Sequence, residues 1–188
     1  NEDFIAPQKG FGLHPHQNME IITYLISGEI EHTDTMGNKE IIHAGEIQQM
    51  SAGTGIEHAE ANPSNNKETH LLQIWIQPNK KMVRPYYAKK KVLKNRNELN
   101  LLISPEDKDE TLKINQDVKI YVGIFDKEQQ IRWPTFSSRA YWIQIISGAL
   151  TINNQVLCQG DGAAIEREPS FHFTIHENAE FLLFDLNQ

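Results

Sequence analysis

Cysteine is almost absent from this sequence, and its scarcity limits how the fold can be stabilised. The 188 residues contain one cysteine, Cys158, so no disulfide can form within the chain. The fold must therefore depend on a hydrophobic core, and a chain of this length is long enough to bury one. A single thiol also fits a reducing compartment, so we expect a cytoplasmic protein.

Long apolar stretches and a leader segment are also missing. No run approaches the roughly 20 apolar residues that a membrane-spanning helix needs, and no signal peptide is visible. We therefore expect no membrane partner. The sequence opens on Asn1 without an initiator methionine, so we expect the natural protein to begin upstream.

Positive charge is in short supply. The chain has 18 Lys and Arg against 25 Asp and Glu, which leaves a formal net charge of −7. Such a balance disfavours a broad electrostatic interface with nucleic acid or with an anionic membrane. We expect no direct binding to nucleic acid, and an acidic surface is more compatible with a protein partner.

Extended segments dominate the hydrophobic pattern, and no long amphipathic helical period is present. Short runs rich in Ile, Leu, Val, Tyr and Trp recur between turn signals, which is typical of an all-β sandwich or barrel. Three of these runs are 21–26, 71–76 and 141–146. Gly37-Asn38 and Asn153-Asn154 each separate two short runs, and both predict tight β-hairpins.

A weak internal repeat divides the chain. Residues 20–28 resemble residues 140–148, and each copy is followed by a polar hairpin and then by a turn with glycine and an acidic residue. A repeat of this size predicts two related barrels in tandem. Residues 78–117, rich in Pro, Lys, Asn, Glu and Asp, predict a long connection that carries a strand or two. We expect an N-terminal metal-binding barrel over 1–90 and a C-terminal barrel over 91–188.

Four residues have the spacing of a chelating metal site. His14 and His16 lie two positions apart, and so do His58 and Glu60. In a strand, residues i and i+2 point to one face about 7 Å apart, whereas in a helix they would diverge by about 200°. Pro15 disfavours helical geometry for the residue before it. The spacing therefore predicts two extended pairs that converge on one ion inside a small β-barrel.

The ligand chemistry leaves the metal and the carboxylate open. Three neutral imidazoles and one carboxylate suit Fe(II), Mn(II), Ni(II), Cu(II) or Zn(II). Glu20 has the same strand parity as the first histidine pair, so it is a rival to Glu60. The remaining histidines lack a partner at chelating spacing, except His172 and His176. Their i, i+4 spacing requires a helix where the neighbouring residues predict a strand, so we expect no metal there.

Two regions resemble the sequence motifs of the pirin family. The segments that carry the resemblance are GLHPH at 12–16, MEIITYLISG at 19–28 and GEIQQMSAGTGIEHAE at 45–60. The first two resemble the first cupin motif as it occurs in pirins, and the third resembles the more specific second motif. The resemblance covers nearly the whole chain and is strongest to bacterial pirin-like quercetin 2,3-dioxygenases.

The resemblance implies an all-β fold of two tandem cupin barrels of the jelly-roll type. It implies one metal, usually iron, held in the N-terminal barrel by His14, His16, His58 and Glu60 rather than by Glu20. Pirins have several strands before the first motif, so we expect the N-terminal barrel to be missing its first strands in this chain.

The C-terminal barrel is expected to be structural and free of metal. Aligning the two copies of the repeat puts Pro134 and Phe136 where the first two histidines stand. These residue types cannot replace imidazole as ligands. We expect Trp133, Phe136 and Trp142 to belong to the core of this barrel.

The resemblance implies an enzyme, a metal-dependent dioxygenase that opens a flavonol such as quercetin with O2 and releases carbon monoxide. In this interpretation the metal is Fe(II), with Zn, Mn, Ni or Cu as alternatives, and Glu60 doubles as general base. The family also implies an alternative, a metal- or redox-responsive regulator that binds another protein and has no dedicated substrate.

Overall fold

The computed structural model describes residues 1–92, 95–106 and 111–187, which fold into β-strands and connecting loops. This confirms the predicted all-β class. The strands are β1 (Glu2–Ile5), β2 (Gly10–His16), β3 (Glu20–Ser27), β4 (Glu29–Asp34), β5 (Lys39–His43), β6 (Glu46–Ser51), β7 (Ile56–Ala61), β8 (Thr69–Ile76), β9 (Tyr86–Lys91), β10 (Leu99–Ser104), β11 (Leu112–Lys113), β12 (Val118–Phe125), β13 (Gln130–Pro134), β14 (Arg139–Ser147), β15 (Ala149–Ile152), β16 (Gln155–Cys158), β17 (Gly162–Ile165), β18 (Ser170–Ile175) and β19 (Ala179–Asn187). Those ranges include no helix with the length and apolar character that a membrane crossing requires.

The first of two compact units comprises Asn1–Val92 and Leu112–Gln116. Its strands form two antiparallel sheets with the orders β1-β8-β3-β6-β9 and β2-β7-β4-β5. Side chains from both sheets meet in one core, because burying the apolar face of each sheet removes that area from water. The buried members of this core are Ile5, Leu25, Ile30, Ile42 and Leu71.

The second unit comprises Leu93–Thr111 and Asp117–Gln188. One of its sheets contains the order β10-β12-β19-β14-β17, and the other has the order β13-β18-β15-β16. Its core is more aromatic than that of the first unit. Four phenylalanines are buried in it: Phe125, Phe171, Phe173 and Phe181.

The repeat seen in the sequence has a structural counterpart in each unit. β3 lies between β8 and β6, and β14 lies between β19 and β17, so the two copies hold equivalent places in their sheets. Each copy also has a shift of register at its end, between Leu25 and Ser27 and between Ile145 and Ser147. Both units are therefore versions of one barrel, as the repeat predicts.

The two predicted hairpins are confirmed. β4 pairs with β5 through a turn in which Gly37 has a φ of +95°. β15 pairs with β16 through Asn153 and Asn154, whose φ values are +45° and +73°. Two consecutive residues with positive φ are typical of a type I′ turn, which matches the twist of the strands on either side.

The connection between the barrels is more structured than the sequence suggests. The segment 78–117 carries β9, β10 and β11, and the segment Leu112–Gln116 belongs to the first unit although it follows β10 of the second. Asn115 is the anchor of this return, since its side-chain amide donates to Glu20 Oε1 and to Ser51 Oγ, each at 3.1 Å. The expected division of the chain into 1–90 and 91–188 has one boundary, and it does not describe a later segment that belongs to the first unit.

The prediction that Trp133, Phe136 and Trp142 belong to the core of the second barrel is wrong for Phe136 and Trp142. Phe136 is 65% exposed and Trp142 is 38% exposed, whereas Trp133 packs partly buried against the core. Burial alternates along β14, where Tyr141 and Ile143 point inward and Trp142 points outward. Phe136 lies beyond the end of β13, in the loop before β14.

Candidate metal centre

Antiparallel pairing of β2 with β7 brings three imidazoles together. His14 lies directly opposite His58, and His16 follows on the same face of its strand. Their ring centroids are 4.7 Å apart for His14 and His16, 4.6 Å for His14 and His58, and 4.9 Å for His16 and His58. One ring nitrogen from each lies within 4.8 Å of the other two. Ligand atoms bound at about 2.1 Å lie about 3–4 Å apart, so small movements of these side chains would bring the three nitrogens onto one ion.

The nitrogens of this cluster are suited to an ion. His14 Nδ1 donates to the carbonyl oxygen of Gly12 at 2.7 Å, which leaves its Nε2 with a free lone pair. His16 Nε2 and His58 Nδ1 are buried and have no hydrogen-bond partner among the described residues. Buried polar atoms are normally paired, and a bound cation would satisfy these. The residues therefore fit a divalent metal.

The surroundings of the cluster favour the neutral form of two of its imidazoles, those of His16 and His58. Burial, followed by the neighbouring imidazoles, lowers the pKa of His58 to about 3. Burial also lowers the pKa of His16, helped by His14 beside it. Because a metal binds the neutral form of imidazole, these shifts leave the ligand atoms available at neutral pH.

Glu60 lies one layer deeper, on the same strand as His58. Its Oε1 accepts hydrogen bonds from Thr23 Oγ1 at 3.2 Å and from Gln48 Nε2, and its Oε2 accepts one from Gln73 Nε2 at 2.8 Å. Burial raises the pKa of the Glu60 carboxyl, against the opposing effect of the imidazoles of His32 and His14 and of the hydrogen bonds from Thr23 and Gln48. At the same 4.8 Å limit, Glu60 belongs to a group with His58 but not to the group that contains His14 and His16.

Two aromatic side chains set the orientation of the amides around Glu60. Tyr87 donates its hydroxyl hydrogen to Gln48 Oε1 at 3.0 Å, and Trp75 Nε1 donates to Gln73 Oε1 at 3.1 Å. With each amide oxygen engaged in this way, the amide NH2 groups must face the carboxylate. The donors to Glu60 are thus fixed by residues that do not contact it.

Glu20, the rival carboxylate, lies in a different polar cluster. It is fully buried, and it accepts hydrogen bonds from Gln49 Nε2 at 2.6 Å, from Ser51 Oγ at 2.7 Å and from the Asn115 amide. Neither of the metal-competent groups found in the described ranges includes it. Through these hydrogen bonds, Glu20 links β3 to β6 and to the 112–116 segment.

His32 is the residue of this region that the sequence reasoning missed. It is fully buried on β4, where it pairs with Glu60 across the ladder between β4 and β7. One ligand atom each from His32, His58 and Glu60 lie mutually within 4.8 Å. The sequence contains a signal for it, because His32 and Asp34 have the same i, i+2 spacing as the pairs singled out above.

The mouth of the cluster is apolar and open. Trp75 is 54% exposed and meets the ring of His16 edge to face, with centroids 5.0 Å apart. A depression of about 550 Å³ is lined by His16 and by six further residues: Pro15, Gln17, Thr35, Gly55, Ile56 and Glu57. Its volume is in the range of sites that bind small molecules.

The second barrel offers no comparable cluster within the described residues. Pro134 pairs with Ser170 on β13 and β18, where His14 pairs with His58 in the first barrel. His172 is exposed on β18, which is a strand as predicted, so His176 does not share a helical face with it.

Family models match both halves of the chain. Residues 1–76 match the model of the pirin family, and residues 101–186 match that of the quercetinase C-terminal cupin domain. A relative from Pasteurella multocida is 46% identical over 99% of this chain and 80% of its own length. The quercetin 2,3-dioxygenase of Escherichia coli strain K12 is 42% identical over 99% of this chain and 80% of its own.

Solved structures are similar over the same extent. The crystal structure of the bacterial pirin YhhW from Escherichia coli in complex with nickel(II) has a TM-score of 0.94 at 41% identity, and the match covers 99% of this chain and 80% of that one. A second crystal structure of YhhW has a TM-score of 0.96 at 42% identity, with 99% and 79% coverage.

Proposed function

Because this chain belongs to the pirin family, we propose that it is a metal-dependent dioxygenase that opens the ring of a flavonol with O2 and releases carbon monoxide. The observation that carries the proposal is the convergence of His14, His16 and His58 beside the buried carboxylate of Glu60. Imidazole and carboxylate ligands that do not fill the coordination sphere leave positions for substrate and O2.

The metal would be held by the three imidazoles, with Glu60 as the fourth ligand. The resemblance favours Fe(II), while one solved relative holds nickel(II). When bound, such an ion supplies a Lewis acid that polarises a substrate oxygen and lowers the pKa of its hydroxyl.

Glu60 is suited to accept the proton of a flavonol hydroxyl. Its burial raises its pKa, which makes the carboxylate a stronger base than an exposed one. Donation from Thr23 and Gln48 to Oε1, and from Gln73 to Oε2, keeps the carboxyl group in one orientation before and after proton transfer. A fixed orientation lowers the entropic cost of reaching the transition state.

Trp75 supports the choice of an aromatic substrate. Its half-exposed indole stands at the mouth of the cluster, edge to face with His16. A planar polyphenol could stack on the exposed ring face, and aromatic pairs of this kind contribute about 0.5–1.5 kcal/mol beyond the area that they bury.

The test is turnover by protein with a known metal content. Metal-free protein would be loaded anaerobically with Fe(II) or, separately, with Ni(II), and quercetin consumption, O2 uptake and carbon monoxide release would be followed after oxygen is admitted. We expect turnover above that of an equal amount of free metal. Glu60→Gln should lower kcat about 100-fold or more, since a general base contributes about that much.

Glu68→Gln is the matched control, because Glu68 is an exposed carboxylate of the same barrel. It should leave kcat within about two-fold of the parent protein. A fully loaded protein that consumes quercetin no faster than free metal would overturn the proposal.

A further inference from the structure

We infer that the first barrel offers a metal ion a second, inner position, held by His32, His58 and Glu60. One ligand atom from each lies within 4.8 Å of the other two. All three side chains are buried, with relative exposures of 0%, 2% and 1%. The inference rests on metal binding by this barrel and not on flavonol turnover.

The tautomer of His32 leaves one of its ring nitrogens free to bind an ion. His32 Nε2 lies 3.1 Å from Asp34 Oδ2, and a carboxylate accepts, so Nε2 carries the proton. The lone pair therefore belongs to Nδ1, which is buried and lacks a hydrogen-bond partner in the described part of the chain. An orphaned buried nitrogen is costly unless a ligand satisfies it.

Asp34 is held rigidly as an anion. Its Oδ1 accepts from the backbone N–H groups of Met36 at 2.9 Å and Asn38 at 3.1 Å, and its Oδ2 accepts from Asn38 Nδ2 at 2.7 Å. A carboxylate that fixes one nitrogen of a histidine while the other faces a metal is the usual arrangement around metal-ligating histidines. In this barrel it occurs at His32.

Two neighbouring rings hold the ring of His32 in place. It stacks on the ring of Tyr87 with centroids 4.3 Å apart and an angle of 13° between the planes. The ring of His58 is tilted by 48° to that of His32 at a centroid distance of 5.4 Å. A ring with these neighbours loses little further freedom when it binds an ion.

His58 belongs to both groups of ligands. The outer position uses His14, His16 and His58, and the inner position uses His32, His58 and Glu60. Because they share His58, and because Glu60 is also the proposed fourth ligand of the outer position, the two are alternatives for one ion rather than two sites that fill together. Removing the outer imidazoles should therefore shift the ion inward instead of abolishing binding.

The test is Ni(II) binding by metal-free variants, measured by equilibrium dialysis and calorimetry. We expect one equivalent in the parent protein. His14→Ala/His16→Ala should still bind one equivalent, with affinity lowered ten-fold or more. Adding His32→Ala to this double variant should lower the affinity at least ten-fold again. Asp34→Asn in the double variant should weaken it about 10–100-fold, as expected for the partner of a ligating histidine.

His43→Ala is the control, because His43 is an exposed histidine on neighbouring β5. In the double variant it should leave Ni(II) affinity unchanged, and circular dichroism should show that every variant keeps its strands. Equal affinities with and without His32 would overturn the inner position.

A double variant that binds no Ni(II) would also overturn the inner position, while quercetin turnover by the parent protein would still support the proposed function. Conversely, inner binding without turnover would contradict the proposed function alone.

Discussion

At the scale of single residues, the hydrogen bonds to the Glu60 carboxylate depend on two side chains that do not contact it. Tyr87 and Trp75 each occupy one amide oxygen, on Gln48 and Gln73 respectively, and so point both amide donors at the carboxylate. An amide freed from such a partner can rotate and present its oxygen instead. An amide oxygen and a carboxylate oxygen that face each other in a buried site repel. The orientation of each glutamine amide therefore matters as much as its presence.

Tyr87→Phe tests this dependence. The variant removes one hydrogen bond, to Gln48 Oε1, and the stacked ring over His32 remains. We expect the free energy of unfolding to fall by about 1 kcal/mol and metal affinity to fall about ten-fold. Tyr86→Phe on the same strand is the control, since the Tyr86 ring is 48% exposed. Equal effects in both variants, measured by urea unfolding and Ni(II) titration, would contradict the argument.

His58 makes the metal-free protein sensitive to acid. Its pKa is about 3 when folded against a usual value of 6.5. Below 6.5 the unfolded chain takes up a proton that the folded protein refuses, so the free energy of unfolding falls as pH drops from 6.5 towards 3. We expect this contribution to be on the order of 3 kcal/mol across that window.

Urea unfolding with a chelator present, at pH 7, 5.5 and 4, measures the slope. His58→Gln should flatten it, and His43→Gln, at an exposed position, should not. A slope that survives in His58→Gln would assign the acid sensitivity to another group.

At the scale of strands, the glycine that ends each copy of the repeat allows two backbone segments to approach closely. Gly28 has a φ of +79°, and a Cβ on it would lie 2.7 Å from the carbonyl oxygen of Glu68. Gly148 has a φ of +77°, and a Cβ on it would lie 2.1 Å from the carbonyl oxygen of Asn178. The same obstacle in both barrels explains why each copy of the repeat ends on a glycine.

Gly28→Ala should destabilise the first unit by about 2–4 kcal/mol, because it adds a backbone clash to the cost of positive φ. Gly37→Ala is the control, since Gly37 has a φ of +95° and nothing within 4 Å of an added Cβ. It should cost about 1 kcal/mol. Comparable losses in urea unfolding for the two variants would show that the close approach is unimportant.

The strands also show what could be predicted from sequence. The i, i+2 spacing of His14 and His16 identified them as one face of a strand, because side-chain alternation is local. The relation between His32 and Glu60 depends on how β4 pairs with β7, and a register between distant segments cannot be read from local spacing. The outward direction of Trp142 was missed for a related reason, since a strand's inward face is set by its neighbours.

At the scale of the whole molecule, the candidate ligands all belong to one unit. Trp75 lies in that unit, and the other two tryptophans, Trp133 and Trp142, lie in the second. The three indoles therefore allow the stability of each unit to be followed separately.

We expect Ni(II) to stabilise the unit that binds it. An ion at 100 times its Kd adds about 2.7 kcal/mol to the free energy of unfolding. In Trp133→Phe/Trp142→Phe, the transition reported by Trp75 should move to higher urea on metal addition. In Trp75→Phe, the transition reported by the remaining indoles should stay in place. An equal shift in both variants would contradict the assignment of the metal to the first unit.

The return of the 112–116 segment to the first unit has a consequence for how the chain is made. Glu20 and the amide that donates to it from Asn115 are 95 residues apart. A ribosome therefore delivers β10 of the second barrel before it delivers the last donor for a carboxylate buried in the first. Until then Glu20 in a nascent first barrel lacks one of its three side-chain donors, so the hydrogen bonds of the first barrel are complete only after synthesis of the second has begun.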